Sequence, residues 1–116
     1  MQDTVARYKI MQSAALYKNI AIAAPEEPQD RIVAAQAADE LLNIVGISTS
    51  FVLFPDGEQI IISGRSMGDT NVQVILEQLG GGGNAAAAGG QVAGKTLEQV
   101  AVELTQAIDR YLEEDS

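Results

Sequence analysis

The stretch STSFVLFPDGEQIIISGRS, residues Ser48–Ser66, decides the fold of this 116-residue chain. Within it, two runs rich in β-branched and aromatic residues, Ser50–Phe54 and Gln59–Ser63, flank the tetrapeptide PDGE. The central pair Asp56-Gly57 is typical of a tight hairpin turn, because both residues tolerate the backbone angles that such a turn needs. The stretch therefore predicts two antiparallel strands, and the other elements are expected to pack around them.

Upstream of the hairpin, the pattern predicts a helix, a strand and a second helix. Apolar residues at helical spacing predict the first helix over Arg7–Lys18, and the apolar run NIAIAA (19–24) predicts a buried strand that a proline stops. Pro28 is expected in the first turn of the second helix, which covers about 29–43 and ends before Gly46. The apolar face of this second helix is predicted to consist of Ile32, Ala35, Ala38, Leu42 and Val45.

Downstream of the hairpin, two more helices are predicted, with a glycine-rich segment between them. Thr70 and Gln73 match a capping box at the start of the third helix, and Gly80 is placed to end it. Thr96 and Gln99 match a second capping box at the start of the last helix. The apolar stripes are Val72, Ile75, Leu76 and Leu79 in the third helix, and Leu97, Val100, Ala101, Leu104, Ile108 and Tyr111 in the last.

This order of elements predicts an α/β domain of the α+β type, with a small mixed β-sheet and flanking helices. One domain is expected over residues 1–116, since the chain is too short for a second core, and Met1–Thr4 is expected to be an addition to the natural sequence. Hydrophobic residues make up 47% of the chain but aromatic residues only 4%, so the core is expected to be aliphatic.

Charge and composition exclude several classes of function. The formal net charge of -9 argues against a broad nucleic-acid-binding surface, because an acidic surface repels phosphate backbones. The chain has no Cys and no His, and its Asp residues are scattered, so no catalytic residue and no metal site are expected within it. No apolar run is long enough to span a membrane and no signal peptide is visible, so a cytoplasmic location is expected.

The segment QLGGGGNAAAAGGQ, Gln78–Gln91, has two interpretations. One is a flexible linker. The other is a loop whose bare main chain approaches a ligand, with amide groups forming an anion-binding nest. The absence of Ser, Thr, Glu and Lys, which solvate most linkers, favours the ligand loop. The segment matches neither the phosphate-binding loop GxxxxGK(S/T) nor the dinucleotide fingerprint, because its glycines follow a helix.

A second candidate lies in SGRSMGDTN, Ser63–Asn71. The guanidinium of Arg65, beside the hydroxyl of Ser66 and just before a helix, suits capture of a phosphate or carboxylate. The alternative is that Arg65 forms a surface ion pair with one of the many carboxylates of the chain. Asp39, in a predicted helix, is expected to cap or pair locally.

Taken in order, Arg65-Ser66, the Asn-Val-Gln of residues 71–73 and the four glycines of 80–83 are similar to the DHH-associated domain. This domain is the C-terminal partner of the catalytic domain in DHH-family phosphoesterases, and the resemblance covers nearly the whole chain. The stretches NVQVILEQLGGGG and LTQAIDRYLEE most resemble the GdpP branch, the membrane-bound cyclic-di-AMP phosphodiesterases of Gram-positive bacteria.

The resemblance implies a domain that holds the substrate of a phosphodiesterase acting on cyclic dinucleotides or short oligonucleotides. The implied ligand is a small nucleotide such as cyclic-di-AMP or its linear product. The implied partner is the N-terminal DHH domain of the parent chain, which would bind manganese, so this chain is expected to need no cofactor and to be inactive alone. The parent protein is expected to be membrane-anchored in that branch, and a homodimer is compatible with the sequence.

The resemblance also implies the substrate-binding residues, which are Arg65, Ser66, Gly81, Gly82, Gly83 and Asn84. Asn84 stands where the family loop, Gly-Gly-Gly-His, has a histidine that contacts substrate. An asparagine can donate and accept hydrogen bonds but cannot carry a positive charge or transfer a proton near neutral pH. This leaves open a less electrostatic mode of phosphate binding, an altered sequence, or a non-catalytic nucleotide-binding or protein-interaction module that has lost activity.

Overall fold

The predicted hairpin lies at the centre of the sheet in the computed structural model, which describes residues 2–114. Its two strands pair in register from Thr49 opposite Ser66 to Asp56 opposite Gln59, and Gly57 takes the left-handed turn position with φ of 61°. The elements in chain order are α1 (Gln2–Gln12), β1 (Ala15–Tyr17), β2 (Ile20–Ala23), α2 (Arg31–Leu41), β3 (Thr49–Asp56), β4 (Gln59–Ser66), α3 (Val72–Glu77), β5 (Gly82–Gly83), β6 (Ala87–Ala93) and α4 (Leu97–Glu114).

The six strands form one mixed sheet in the order β1-β2-β3-β4-β6-β5. β2 and β3 are parallel, and every other neighbouring pair is antiparallel. The parallel pair is joined through α2, as a crossover between parallel strands requires. The predicted α/β class, with a small mixed sheet and flanking helices, is confirmed.

Two hydrophobic clusters lie on opposite faces of this sheet. Side chains alternate along β3, so Phe51 and Leu53 enter the cluster beneath α3 and α4, whereas Val52 and Phe54 enter the cluster beneath α1 and α2. The central strands are therefore buried on both sides, and each face is covered by its own pair of helices.

The prediction of one helix over Arg7–Lys18 is wrong in its second half. α1 ends at Gln12, and the chain continues as strand β1, which pairs antiparallel with β2. Lys18 and Asn19 form the two-residue turn between them with φ of 51° and 68°. Positive φ at both positions is what a type I′ hairpin requires. The turn therefore sets the pairing of β1 with β2, although the helical periodicity of the sequence had suggested that the helix continues to Lys18.

The start and the apolar face of α2 also differ from expectation. The helix begins after Asp30, whose carboxylate accepts hydrogen bonds from the N–H groups of Ile32 (2.8 Å) and Val33 (3.1 Å), so Pro28 lies outside it. The buried face consists of Val33, Ala34, Ala37, Ala38 and Leu41. Ile32 and Val45 are 70% and 99% exposed. The alanine-rich face of α2 packs against the sheet instead, and most of its residues lie one position away from those predicted.

One predicted capping box is confirmed and the other is wrong. At α4, the Thr96 N–H donates to Gln99 Oε1 (2.9 Å) and the Gln99 N–H donates to Thr96 Oγ1 (3.1 Å). At α3, the cap is Asn71, whose Oδ1 accepts from the N–H of Val74 at 3.2 Å, and Thr70 lies before it. The predicted apolar stripes of both helices pack into the cluster beneath α3 and α4.

No helix within residues 2–114 combines the length and the apolar character needed to cross a membrane.

Candidate functional site

Half of the glycine–alanine segment belongs to the sheet, which the linker interpretation did not anticipate. Gly82 and Gly83 form β5, which pairs with the start of β6, and β6 continues through the alanines and the last two glycines along β4. The linker interpretation is wrong. Seven of its fourteen residues, 82–83 and 87–91, are strand and not irregular loop, because the edge of β4 supplies backbone partners to β6 that sequence periodicity does not reveal.

Gly80 ends the third helix, as predicted. Its φ is 85°, its N–H donates to Glu77 O (3.1 Å), and the next amide, that of Gly81, donates to Leu76 O (2.8 Å). These two bonds are those of a Schellman ending, in which a left-handed residue reverses the chain after the last turn.

Packing against β6 explains two of the three glycines that follow. A Cβ atom on Gly81 would lie 2.4 Å from Gly89 O, and one on Gly83 would lie 2.5 Å from Ala87 O. Gly83 also has φ of 143°, which L-residues rarely adopt. Gly82 differs, since a Cβ there would meet nothing within 4 Å and its backbone needs no left-handed conformation. The fold therefore requires glycine at 81 and 83, but not at 82.

Asn84 forms the turn between β5 and β6. Its Oδ1 accepts hydrogen bonds from the N–H groups of Ala86 and Ala87, both at 2.9 Å, and its own N–H donates to Ala87 O at 2.8 Å. A short polar side chain that bonds to the main chain two residues ahead is a common device of tight turns. The side chain is exposed, and its hydrogen bonds stabilise the turn between β5 and β6.

Ser66 is the last residue of β4 and is 7% exposed. Its Oγ lies 3.4 Å from Thr49 Oγ1 and accepts from the Gly68 N–H at 3.3 Å. Its N–H donates to Ala86 O in the β5–β6 turn (2.9 Å). The serine therefore ties the end of β4 to the turn that contains Asn84, and its hydroxyl is already engaged within the protein.

Arg65 points to the opposite face of the sheet from Ser66, because side chains alternate along a strand. Its Nε lies 3.2 Å from Asp39 Oδ1 in α2, and its Nη1 donates to Gly64 O at 2.8 Å. The alternative interpretation of Arg65 as an ion-paired residue is thus seen in the structure. Asp39 pairs across the fold, not within its own helix, which corrects the local role expected for it.

Several of the sequence-predicted residues converge on one end of the sheet, which we call the Ser66 end. Arg65 lies opposite Ala87 in the β4–β6 register, and the Val72 N–H donates to Ala85 O (3.1 Å), so the β5–β6 turn, the end of β4 and the start of α3 meet there. Gly83 and Asn84 belong to this cluster. Gly81 lies just before β5, beside Gly89 and Gly90, and is not part of this cluster.

Sequence reasoning missed the role of Tyr111 at this end. The N–H of Asn71 donates to its hydroxyl oxygen (3.0 Å), and the hydroxyl lies 3.4 Å from Asp69 O, so α4 braces the loop that follows Ser66. The residue was visible only as a member of the apolar stripe of α4, and no signal in the sequence pairs it with a loop 40 residues away.

The charged hydrogen-bond donor near the Ser66 end is the guanidinium of Arg65, a group suited to binding an anion. Within residues 2–114, no three His, Cys, Asp or Glu side chains are grouped closely enough to hold a metal ion.

Comparison with known proteins identifies the family. The model of the DHHA1 domain matches residues 15–114. The chain is 40% identical over 121 residues to the cyclic-di-AMP phosphodiesterase GdpP of Geobacillus thermodenitrificans, covering 97% of this chain and 18% of that protein. It is 42% identical over 115 residues to GdpP of Bacillus subtilis, covering 94% of this chain and 18% of that protein.

The fold recurs in a solved structure. An exopolyphosphatase-related protein from Bacteroides fragilis superimposes with a TM-score of 0.82 and 24% identity, over 94% of this chain and 34% of that one. The chain spans about a fifth of the length of the GdpP relatives, 18% in each case. The matched family, and the resemblance drawn from Arg65-Ser66 and the glycine run, agree: this chain belongs to the DHHA1 domain family of DHH phosphoesterases.

Proposed function

We propose that this domain holds the phosphate and nucleoside of a cyclic dinucleotide or a short oligonucleotide at the Ser66 end of its sheet. Cleavage would be carried out by a DHH domain of the parent chain that faces this end and carries the metal ions, proposed to be manganese. The observation that carries the proposal is the register of β4 and β6, which pairs Arg65, near the end of β4, with Ala87, the first residue after the β5–β6 turn. The names of the GdpP relatives support cyclic-di-AMP as the nucleotide.

Each proposed residue has a distinct role. Arg65 would donate charge-assisted hydrogen bonds to a phosphate oxygen. Gly82, which the fold does not require to be glycine, would let the ligand approach the main chain. Asn84 would present its amide nitrogen, while Ser66, whose hydroxyl already contacts Thr49 and Gly68, would act by fixing the loop beside the ligand.

Titration of the chain with cyclic-di-AMP, followed through the backbone amide signals in NMR spectra, tests this proposal. We expect the largest shifts at residues 65–68 and 82–86. Arg65→Ala should weaken binding about ten-fold or more, since hydrogen bonds to charged groups contribute about 1.5–3 kcal/mol. Titration with the linear product should give shifts in the same residues.

Arg31→Ala is the matched control. Arg31 also forms an exposed ion pair, with Asp56 at 3.0 Å, but at the opposite end of the sheet, so this variant loses the same charge away from the candidate site. Equal affinities of wild type and Arg65→Ala, or shifts confined to residues outside the Ser66 end, would contradict the proposal.

A non-catalytic nucleotide-binding or protein-interaction module is the second candidate. It is favoured by Asn84, which stands at the histidine position of the family loop and cannot transfer a proton near neutral pH. The reading frame that carries this domain discriminates between the two. An Asp-His-His sequence upstream, with hydrolysis of cyclic-di-AMP by the full-length protein, supports the first, and a full-length protein that binds without hydrolysis supports the second.

A further inference from the structure

The ion pair between Arg65 and Asp39 joins the end of β4 to the last turn of α2. We propose that Asp39 is a positioning residue for the anion site, holding the guanidinium of Arg65 in one orientation before ligand arrives. This inference rests on the proposed function, because it assigns Asp39 a role only through the binding role of Arg65.

The donors of Arg65 divide in a way that suits this role. A guanidinium has five N–H groups in a fixed plane. Asp39 Oδ1 forms an ion pair with Nε at 3.2 Å, and Nη1 donates a hydrogen bond to Gly64 O at 2.8 Å. Within residues 2–114 no protein acceptor is found for Nη2, so the two contacts fix the plane and still leave donors for an anion.

The needs of the helix do not explain Asp39. A carboxylate in the last turn of a helix interacts unfavourably with the helix dipole, and α2 has no basic residue in that turn to offset it. The neighbouring carboxylate, Glu40, is paired with Arg7 in α1 (3.3 Å) and so serves the contact between two helices. Asp39 instead extends from α2 to the strand end that carries the candidate site.

Stability does not explain the pair either. The side chain of Asp39 is 63% exposed and that of Arg65 is 21% exposed. Ion pairs with one partner in water contribute little to folding, because solvent screens them and both side chains lose freedom. Orientation of the half-buried guanidinium is therefore the main consequence of the contact.

A competing role for Asp39 predicts the opposite change in ligand affinity when its carboxylate is removed. If the carboxylate of Asp39 merely neutralises Arg65 and must be displaced by the ligand phosphate, its removal would strengthen binding. If it positions the guanidinium, its removal weakens binding, because the ligand must then order a freely rotating side chain.

The test compares affinities for cyclic-di-AMP across wild type, Asp39→Ala, Asp39→Asn, Arg65→Ala and the double variant Asp39→Ala/Arg65→Ala. Asp39→Ala should weaken binding roughly three- to ten-fold, the factor expected for ordering one long side chain. Asp39→Asn should stay within about two-fold of wild type, since it keeps an acceptor oxygen beside Nε. In the Arg65→Ala background, Asp39→Ala should have no further effect.

Glu40→Ala is the matched control, because it removes the adjacent carboxylate from the same helix turn without touching Arg65. It should leave affinity unchanged, and the urea midpoints of all Asp39 variants should stay close to that of wild type. Unchanged or increased affinity of Asp39→Ala, or an equal loss in the Arg65→Ala background, would overturn the positioning role. If Arg65→Ala itself binds like wild type, the proposed binding role of Arg65 is wrong. This result differs from one in which Arg65→Ala weakens binding but Asp39→Ala does not, which would contradict only the positioning role of Asp39.

Discussion

At the scale of single residues, Gly82 and Gly83 are neighbours in β5, but only one of the two positions requires a glycine for structural reasons. Gly83 is needed by the fold, since its φ is 143° and a Cβ would lie 2.5 Å from Ala87 O. Gly82 has open space where a Cβ would stand. A run of four identical letters in the sequence thus contains positions fixed by a helix ending, by strand packing and, in our proposal, by a ligand.

The stabilities of two alanine variants test this distinction. Gly83→Ala should lower the free energy of unfolding by about 1–3 kcal/mol, because of its backbone strain and the clash with β6. Gly82→Ala should change it by less than about 0.5 kcal/mol. Urea denaturation monitored by circular dichroism measures both, and equal losses in the two variants would refute the assignment.

Asn84 gives a second prediction at this scale. Asn84→Ala removes the acceptor used by the amides of Ala86 and Ala87 and should cost about 1 kcal/mol in unfolding free energy. Asn84→Asp keeps an oxygen in the same place and should remain close to wild type. If both variants unfold at the wild-type urea concentration, the side chain does not stabilise the turn.

At the scale of elements, α4 is fixed at its start by a reciprocal cap that the sequence predicted correctly. Thr96→Ala should destabilise the domain by about 1 kcal/mol, because the Gln99 amide loses its acceptor. Thr105→Ala, inside the same helix, is the control and should be neutral or stabilising, since alanine favours helix interiors. Thermal unfolding of the pair should separate them, and a Thr105 variant as unstable as the Thr96 variant would count against capping.

The turn between β1 and β2 is tied to α4 through Asp109. Lys18 Nζ (2.7 Å) and the Tyr17 hydroxyl (2.8 Å) both donate to Asp109 Oδ1, and these bonds, from Lys18 first and Tyr17 second, hold the pKa of the carboxyl below its usual value of 3.8. A pKa lowered by folding stabilises the folded state above the unfolded pKa, and the contribution is lost as pH falls through the folded value.

Acid unfolding therefore tests this contact between β1 and α4. Wild type should be more stable than Asp109→Asn at about pH 6; the difference should begin to shrink as pH falls below the ordinary aspartate pKa of 3.8 and vanish only below the lower pKa of the folded state. Asp56→Asn controls for the loss of one negative charge elsewhere on the surface. A difference between wild type and Asp109→Asn that persists unchanged in acid would contradict a role for the ionised carboxylate.

At the scale of the whole molecule, one sheet separates two cores. Leu41 lies in the cluster beneath α1 and α2, and Leu104 lies in the cluster beneath α3 and α4. Because β3 contributes alternate side chains to both clusters, we expect the two layers to unfold together.

Alanine substitution in either layer tests this coupling. Leu41→Ala and Leu104→Ala should each cost about 2–5 kcal/mol, the usual range for a fully buried leucine. In each variant the slowest-exchanging amides of α2 and of α4 should exchange faster by the same factor. Acceleration confined to the layer that carries the substitution would show that the two cores unfold separately.

The candidate site was only partly predictable. Arg65 and Ser66 stood out as a guanidinium beside a hydroxyl before a helix, and the family resemblance added the glycine run. Their opposite orientations follow from β4 continuing through both residues to Ser66, three positions beyond the predicted end of the strand at Ser63. The partners Asp39 and Tyr111 come from elements 26 and 46 positions away from Arg65, which no local pattern connects.

The sequence by itself determined the central hairpin, the capping box of α4, the Gly80 helix ending and the apolar stripes of α3 and α4. Each of these depends on residues a few positions apart, where turn angles, caps and helical periodicity act. Only the tertiary structure decided that Ala15–Tyr17 and Ala87–Ala93 are strands, and which face of α2 is buried. In Ala87–Ala93 small residues carry little periodic signal, so the conformation follows from the backbone partners that the edge of a distant strand offers, whereas Ala15–Tyr17 depends on the turn at Lys18-Asn19.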